Sequence, residues 1–192
     1  MKRLLPLALL VIGSNALAQG CDYRPAPHQE LTAAKATGLP LVLAGKEKLQ
    51  LGLVEQPELL LHSGDLLIAR YPDGHSLAHH PMTQQELGNA GLGTPAQQVR
   101  LLFGDDSAAT PEAREWVFAM RQAMDLCGDK ASLTPYRIDG IELFAWRTSQ
   151  DGKPYQVFFI PDGEQVHYLE VRGPAAFADK VLAGVHRRPP KP

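Results

Sequence analysis

The stretch Tyr136–Gly173, YRIDGIELFAWRTSQDGKPYQVFFIPDGEQVHYLEVRG, decides the fold of this chain. It holds three apolar runs, Ile141–Thr148, Tyr155–Ile160 and Gln165–Val171, and an Asp-Gly pair separates each run from the next. Asp-Gly supplies the positive φ that a tight hairpin turn needs. The runs are rich in aromatic and β-branched residues, which favour a pleated surface. The stretch therefore predicts a three-stranded antiparallel meander.

Both faces of this predicted meander are apolar. Within the first run Ile141, Leu143 and Ala145 point away from Phe144 and Trp146. Within the second, Tyr155, Val157 and Phe159 oppose Phe158 and Ile160. Within the third, Val166 and Tyr168 oppose Leu169 and Val171. A sheet with one wet face would alternate apolar and polar residues. Something must therefore cover each face. The pattern predicts an α+β fold, with a mostly antiparallel sheet covered by helices at 111–127 and 174–185.

The helix Pro111–Cys127 has both start and stop signals. Thr110 can cap it, Pro111 suits the first position, and Gly128 ends it. One stripe carries Trp116, Val117, Met120, Met124 and Cys127. At helical spacing such a stripe predicts core packing, not a cofactor site. The helix that begins at Pro174 carries Phe177, Val181, Leu182 and Val185 on one face.

A helix, three antiparallel strands and a terminal helix resemble, in their order, the C-terminal half of the Mog1/PsbP-like α/β/α sandwich. Pro111–Cys127, Ile141–Val171 and Pro174–Val185 carry the resemblance, which covers under half of the chain and includes no diagnostic motif. The resemblance implies an accessory or binding protein, a class that includes exported bacterial proteins. Fold alone does not determine function.

The first 18 residues are typical of a secretory signal peptide. A basic start at Lys2 and Arg3 precedes an apolar segment, Leu4–Ile12, and Ala16-Leu17-Ala18 fits a cleavage site. A buried amphipathic N-terminal helix is the alternative. We expect a single domain over 19–185, a basic, proline-rich tail over 186–192, and a periplasmic location. Gly20-Cys21 leaves a second alternative open, a lipoprotein anchored through Cys21.

The two cysteines and the net charge restrict the classes of function that the sequence allows. In an oxidising compartment Cys21 and Cys127 predict a disulfide; the alternatives are two free thiols, or one lipidated and one buried. Without Lys2 and Arg3 the chain has 17 basic and 21 acidic side chains, a formal charge of −4, which disfavours nucleic-acid binding. Nothing after residue 18 is long and apolar enough to cross a bilayer.

The first half of the chain is weakly patterned. The expected elements are a short helix at Glu30–Lys35, strands at Leu41–Ala44 and Gln50–Val54, and a hairpin joining Leu59–Leu61 to Leu66–Ala69. Pro72–Gly93 looks like loop, with a short helix over 82–87 capped by Thr83, and Thr94–Phe103 fits either a strand or a helix. Residues 72–109 therefore contain few predicted elements. Long ordered loops of this kind often form binding surfaces.

Three histidines lie within six residues at His75, His79 and His80. On a helix His75 and His79 would share one face and could bind zinc or copper through neutral imidazole. Pro72 and Pro81 argue against a regular helix there, so a polar loop with solvated histidines is the alternative. The sequence predicts no other cofactor.

Motifs for catalysis are absent from the sequence. It has no Gly-x-Ser-x-Gly, no Cys-x-x-Cys and no phosphate-binding loop with its lysine. We therefore expect a non-enzymatic binding or accessory protein that engages a protein partner through loops and an exposed sheet edge. An inhibitor or immunity-type protein would belong to this class. The alternatives are a metal-binding protein that uses the three histidines and a hydrolase with an unrecognised site.

Overall fold

The computed structural model describes residues 21–34, 40–43, 45, 49–53, 55–63, 65–88, 90–127 and 132–187. The strands are β1 Gln29–Leu31, β2 Pro40–Val42, β3 Leu49–Gly52, β4 Leu59–Ser63, β5 Leu66–Arg70, β6 Ser76–Pro81, β7 Leu133–Ile138, β8 Ile141–Gln150, β9 Lys153–Asp162, β10 Gln165–Arg172 and β11 Val185–Arg187. The helices are α1 Gln84–Leu87, α2 Pro95–Phe103, α3 Pro111–Ala123 and α4 Ala175–Ala183, with a 3-10 turn at Ala90–Leu92. The fold is α+β.

The predicted meander forms the centre of an eight-stranded sheet. Its strand order is β1-β7-β8-β9-β10-β6-β5-β4, and β1 pairs in parallel with β7 while the other neighbours are antiparallel. Ala145, Phe158 and Leu169 lie opposite one another on β8, β9 and β10. β7 extends the meander by one strand, through a turn at Asp139 and Gly140, where φ is positive at both residues.

Each face of this sheet is covered, as the apolar pattern predicts. α4 and a small sheet of order β11-β3-β2 pack on the face of Phe158 and Ile160. α2 packs on the face of Val157 and Phe159, and Trp116, Met120 and Met124 of the α3 region join that cluster. Phe158, Ile160 and Val157 have no exposed surface. Burying one such side chain stabilises the fold by roughly 1.5–3 kcal/mol.

The expected helices are present with shorter bounds. α3 begins at Pro111 with its cap at Thr110, but it ends at Ala123, before Cys127. α4 covers Ala175–Ala183. The segment 94–103, which fitted either element, is helical because Thr94 and Gln97 form a capping box and Pro95 occupies the first turn.

The prediction of a helix at Glu30–Lys35 is wrong for its described part. Gln29–Leu31 form strand β1, and Glu30 pairs with Arg137 across the ladder to β7. A single helical turn is marginal without tertiary support, so strand pairing outweighs local preference. Ala34 instead donates its backbone N–H to Ala183.

The prediction of loop over Pro72–Gly93 is wrong for Ser76–Pro81, which form β6 between β5 and β10. α1 does begin at the predicted cap, since the Thr83 side chain accepts from the Glu86 backbone N–H. The hairpin of β4 and β5 is as predicted.

The predicted disulfide between Cys21 and Cys127 is present and joins the start of the described chain to the segment after α3. The signal segment 1–18 and the end of the tail, 188–192, lie outside the described residues, while His186 and Arg187 extend the domain as part of β11. No helix in the described ranges is long and apolar enough to span a bilayer.

Candidate functional site

The two edges of the large sheet differ in chemistry. Strand β1 is three residues long, and its Glu30 accepts a hydrogen bond at 3.2 Å from Arg137 of β7. A short, charged edge resists pairing with another chain. Strand β4, at the opposite edge, reads Leu-Leu-Leu-His-Ser.

Every residue of β4 is exposed. The exposed fractions are 46% for Leu59, 38% for Leu60 and 49% for Leu61, and Leu66 of β5 adds another at 39%. Because side chains alternate along a strand, Leu59 and Leu61 lie on the α2 side of the sheet and Leu60 lies on the α4 side. The apolar surface therefore continues around the edge from one face to the other.

Strand β4 lacks two of the usual protections of an edge. Its five residues include no lysine and no proline. Among the described strands only β5 pairs with it, so one row of backbone N–H and C=O groups faces outward. Glu58 and Arg70 form an exposed ion pair of 2.8 Å where β4 begins. Such an edge can accept a further strand.

The structure places the three predicted metal-ligating histidines apart. The His75 imidazole contacts Asp73 at 2.7 Å. His79 and His80 are neighbours on β6 and so lie on opposite faces of the sheet, and His80 contacts Glu86 at 2.8 Å. Among the described residues no group of three or more His, Cys, Asp or Glu could hold a metal ion. Metal binding by these histidines stays a prediction.

His79 instead belongs to a buried chain of polar side chains. Its Nε2 lies 3.0 Å from Nδ1 of His167, and Nε2 of His167 lies 3.2 Å from the Asp162 carboxylate. An ionised carboxylate can only accept, so His167 donates from Nε2 and its Nδ1 accepts from His79. All three side chains are buried. We call these three residues the polar trio.

Burial keeps both imidazoles of the polar trio neutral. It lowers the pKa of His79 from 6.5 to about 3, and the nearby His167, His80 and His62 act in the same direction. Burial also lowers the pKa of His167, although the hydrogen bond to Asp162 opposes this effect. A neutral His167 that both donates and accepts has no ring nitrogen left for a metal ion.

Gly45 closes the polar trio on its Asp162 side. A side chain at this position would overlap the Asp162 carboxylate and approach Nε2 of His167 to 2.9 Å. The backbone can approach so closely only because glycine has no Cβ. The trio is therefore a built part of the interior, with a structural role that its hydrogen bonds explain.

Comparisons with known proteins add little to this geometry. No family model matches the chain, and no curated protein matches it. Two solved structures match. One is a crystal structure of a Bacteroides thetaiotaomicron protein, with 13% identity and a TM-score of 0.38 over 79% of this chain and 49% of that protein. This chain thus spans about half the length of that protein, and the resemblance to the Mog1/PsbP-like sandwich stays a prediction.

Sequence reasoning missed two members of the polar trio. The sequence places Asp162 in a predicted turn and indicates no role for His167. The alternation of β10 contains a signal, because His167 has the same parity as Leu169 and Val171, which face the core. A histidine on a buried face needs a polar partner, but the alternation does not indicate that this partner is His79.

Proposed function

We propose that this protein is an exported, non-enzymatic binding protein that takes an extended segment of a protein partner as an additional strand beside β4. The observation that carries the proposal is the exposed leucine edge of β4, at 38–49% exposure over Leu59–Leu61. An inhibitor or immunity-type protein would use such an edge to occupy a segment of its target.

The chemistry of the edge defines the partner segment. Backbone hydrogen bonds along the five residues of β4 would supply affinity without regard to sequence. Leu59 and Leu61 on one face and Leu60 on the other favour alternating apolar side chains in the partner. The ion pair of Glu58 and Arg70 lies at one end of the strand, so the partner segment would meet charged groups there.

Export is supported by two independent features. The first 18 residues have the composition of a signal peptide, and the chain forms a disulfide, which persists in oxidising compartments such as the periplasm. A lipid thioether would need the same Cys21 sulfur that the disulfide uses. The proposed form is therefore the periplasmic, disulfide-bonded protein rather than the lipid-anchored one.

The test compares one substitution at the two sheet edges. Leu61→Lys places a charge on β4, and Leu31→Lys is the matched control, because Leu31 is an exposed leucine on the opposite edge strand β1. Partners are captured from periplasmic extract on the immobilised protein. We expect capture to fall about tenfold or more in Leu61→Lys, a free-energy change of at least about 1.4 kcal/mol, and to persist in Leu31→Lys.

Hydrogen exchange of the purified complex then locates the contact. Partner binding should slow exchange of the backbone amides of 59–63. Binding that Leu61→Lys leaves intact, or that protects other segments only, would contradict the proposal. Sedimentation of the free protein tests whether two copies of this chain associate with each other. A stable dimer that Leu61→Lys dissociates would replace the partner strand by a second copy of this chain.

A further inference from the structure

A cavity of about 300 Å³ opens at the end of the large sheet where the β7–β8 and β9–β10 turns lie. In the part of the chain that the structure describes, its polar lining is Arg100, Arg137, Arg187, Glu142, Gly140 and Gly163. β7 is next to the β1 edge, whereas the leucine edge of β4 is at the other side of the sheet. The cavity is therefore separate from the proposed partner-binding strand.

Three different elements bring the arginines together. Arg100 lies on α2, Arg137 on β7 and Arg187 on β11, so each layer of the fold contributes one guanidinium. This convergence depends on tertiary structure, because no two of the three are close in sequence. Guanidinium groups that converge on a cavity from separate elements are suited to hold a planar carboxylate or a phosphate.

Local contacts orient these side chains. Arg100 donates from Nε to Glu142 at 2.8 Å, and Arg137 donates from Nη1 to Glu30 at 3.2 Å. Arg187 approaches the Gly140 carbonyl at 3.5 Å. A guanidinium has five N–H donors, so the contacts of Arg100 and Arg137 engage only part of each group. The remaining N–H donors of each guanidinium can bind a ligand.

The charge of the lining is opposite to that of the molecule. Among the described residues, three arginines and one glutamate line the cavity, a formal charge of +2, while the whole chain carries −2. A concave site of one sign concentrates ligands of the other sign.

The size of the cavity restricts the ligand. About 300 Å³ lies at the lower end of the range for small-molecule sites. Leu49, Ile141 and Pro161 supply an apolar wall. At Gly140, where φ is +76°, a side chain would extend into open space, so glycine leaves the approach clear. The site suits a compact organic molecule rather than a peptide or a nucleic acid.

We propose that this cavity binds a small ligand with at least two negative charges, carried by carboxylate or phosphate groups. Arg137 and Arg187 hold the acidic groups. Arg100, positioned by Glu142, contacts the ligand from the α2 side. The apolar wall contacts the carbon skeleton.

Titration calorimetry at constant ionic strength tests this site with inorganic phosphate, succinate and the neutral analogue succinamide. We expect phosphate, succinate or both to bind, and the pattern identifies the preferred acidic group. Succinamide should not bind. Absence of binding by both anions up to about 10 mM, which corresponds to a binding free energy weaker than about 3 kcal/mol, would overturn the proposal.

Variants locate the binding. Arg137→Gln and Arg187→Gln should each weaken it at least tenfold, and Arg137→Lys, which keeps the charge but loses the fork, should weaken it less. Arg114→Gln is the matched control, because Arg114 is exposed on α3 and outside the cavity lining. If all four variants bound the anion as tightly as the native protein does, the anion would bind elsewhere and the proposed site would be refuted. Circular dichroism confirms that each variant is folded.

Discussion

The polar trio of Asp162, His167 and His79 lies on the face of the large sheet that α4 and the small sheet β11-β3-β2 cover. Burying polar groups without partners costs roughly 1–3 kcal/mol each. Here the hydrogen bonds of 3.0 Å and 3.2 Å satisfy Nε2 of His79, both ring nitrogens of His167 and one carboxylate oxygen of Asp162. The trio is thus compatible with a stable core as long as both imidazoles stay neutral, and this condition makes stability depend on pH.

Acid should destabilise the protein through His79. In the unfolded chain this histidine gains a proton as pH falls through about 6.5, whereas in the folded protein its lowered pKa, about 3, delays protonation. Between these values the unfolded state binds more protons. The free energy of unfolding should therefore fall from pH 6.5 towards pH 3 by up to about 1.4 kcal/mol per pH unit from this group. Urea unfolding across this range measures the slope.

Two variants test whether His79 causes the loss of stability at low pH. His79→Gln cannot titrate but can still donate to His167, so its slope should be smaller than that of the native protein. His80→Gln is the control, because His80 is the next residue on β6 and faces the other side of the sheet. A slope that is the same in His79→Gln as in the native protein would rule out His79 as the cause.

The end of helix α2 depends on a side chain from another helix. Arg121 of α3 donates to the backbone carbonyls of Leu101, Leu102 and Gly104 and to the Asp106 carboxylate. The last carbonyls of a helix lack partners within it, and a cation is favourable at that end. The ring of Tyr23 lies 4.1 Å from the same guanidinium. Arg121 therefore joins α2, α3 and the N-terminal segment.

Replacing Arg121 should be among the more damaging changes at the level of one element. Arg121→Gln leaves buried carbonyls and Asp106 without their cationic partner, and we expect a loss of about 3 kcal/mol in the free energy of unfolding. Arg114→Gln on the same helix is exposed and should change it by less than about 0.5 kcal/mol. Urea denaturation at pH 7 compares them. Equal midpoints for the two variants would contradict the assigned role.

On the scale of the whole molecule, the disulfide ties the N-terminal segment to the helical layer. Cys21 and Cys127 are 106 residues apart. Tyr23 continues the attachment, since its hydroxyl donates to the Phe103 carbonyl at 2.8 Å. The bond and this contact together hold residues 21–24 against α2 and α3, while the two layers on the large sheet rely on their apolar clusters.

Reduction of the disulfide should lower stability without unfolding the protein. A native disulfide typically stabilises a fold by roughly 2–4 kcal/mol, and the apolar clusters remain in the reduced form. Thermal denaturation with and without dithiothreitol measures the change. The melting temperature of Cys21→Ser/Cys127→Ser should equal that of the reduced native protein and should not change when dithiothreitol is added. A native protein whose melting temperature does not respond to reduction would contradict this expectation.

The meander and its two apolar faces followed from local chemistry. Asp-Gly turns and alternating side chains depend on residues a few positions apart, so the sequence alone can predict them. The same holds for the caps Thr110 and Thr83. The disulfide could be predicted because the chain has only two cysteines. Strand β6 could not, because its polar Ser76–Pro81 segment becomes a strand only between β5 and β10.

Strand order and converging side chains belong to the tertiary structure. The contact between His79 and His167 spans 88 residues, and the arginines of the cavity come from α2, β7 and β11. The leucines of Leu59–Leu61 have the composition of a buried strand, and only the position of β4 at the end of the sheet leaves them exposed. Local patterns specify which segments form strands and helices, whereas long-range pairing selects which of their surfaces meet and which remain open to a partner.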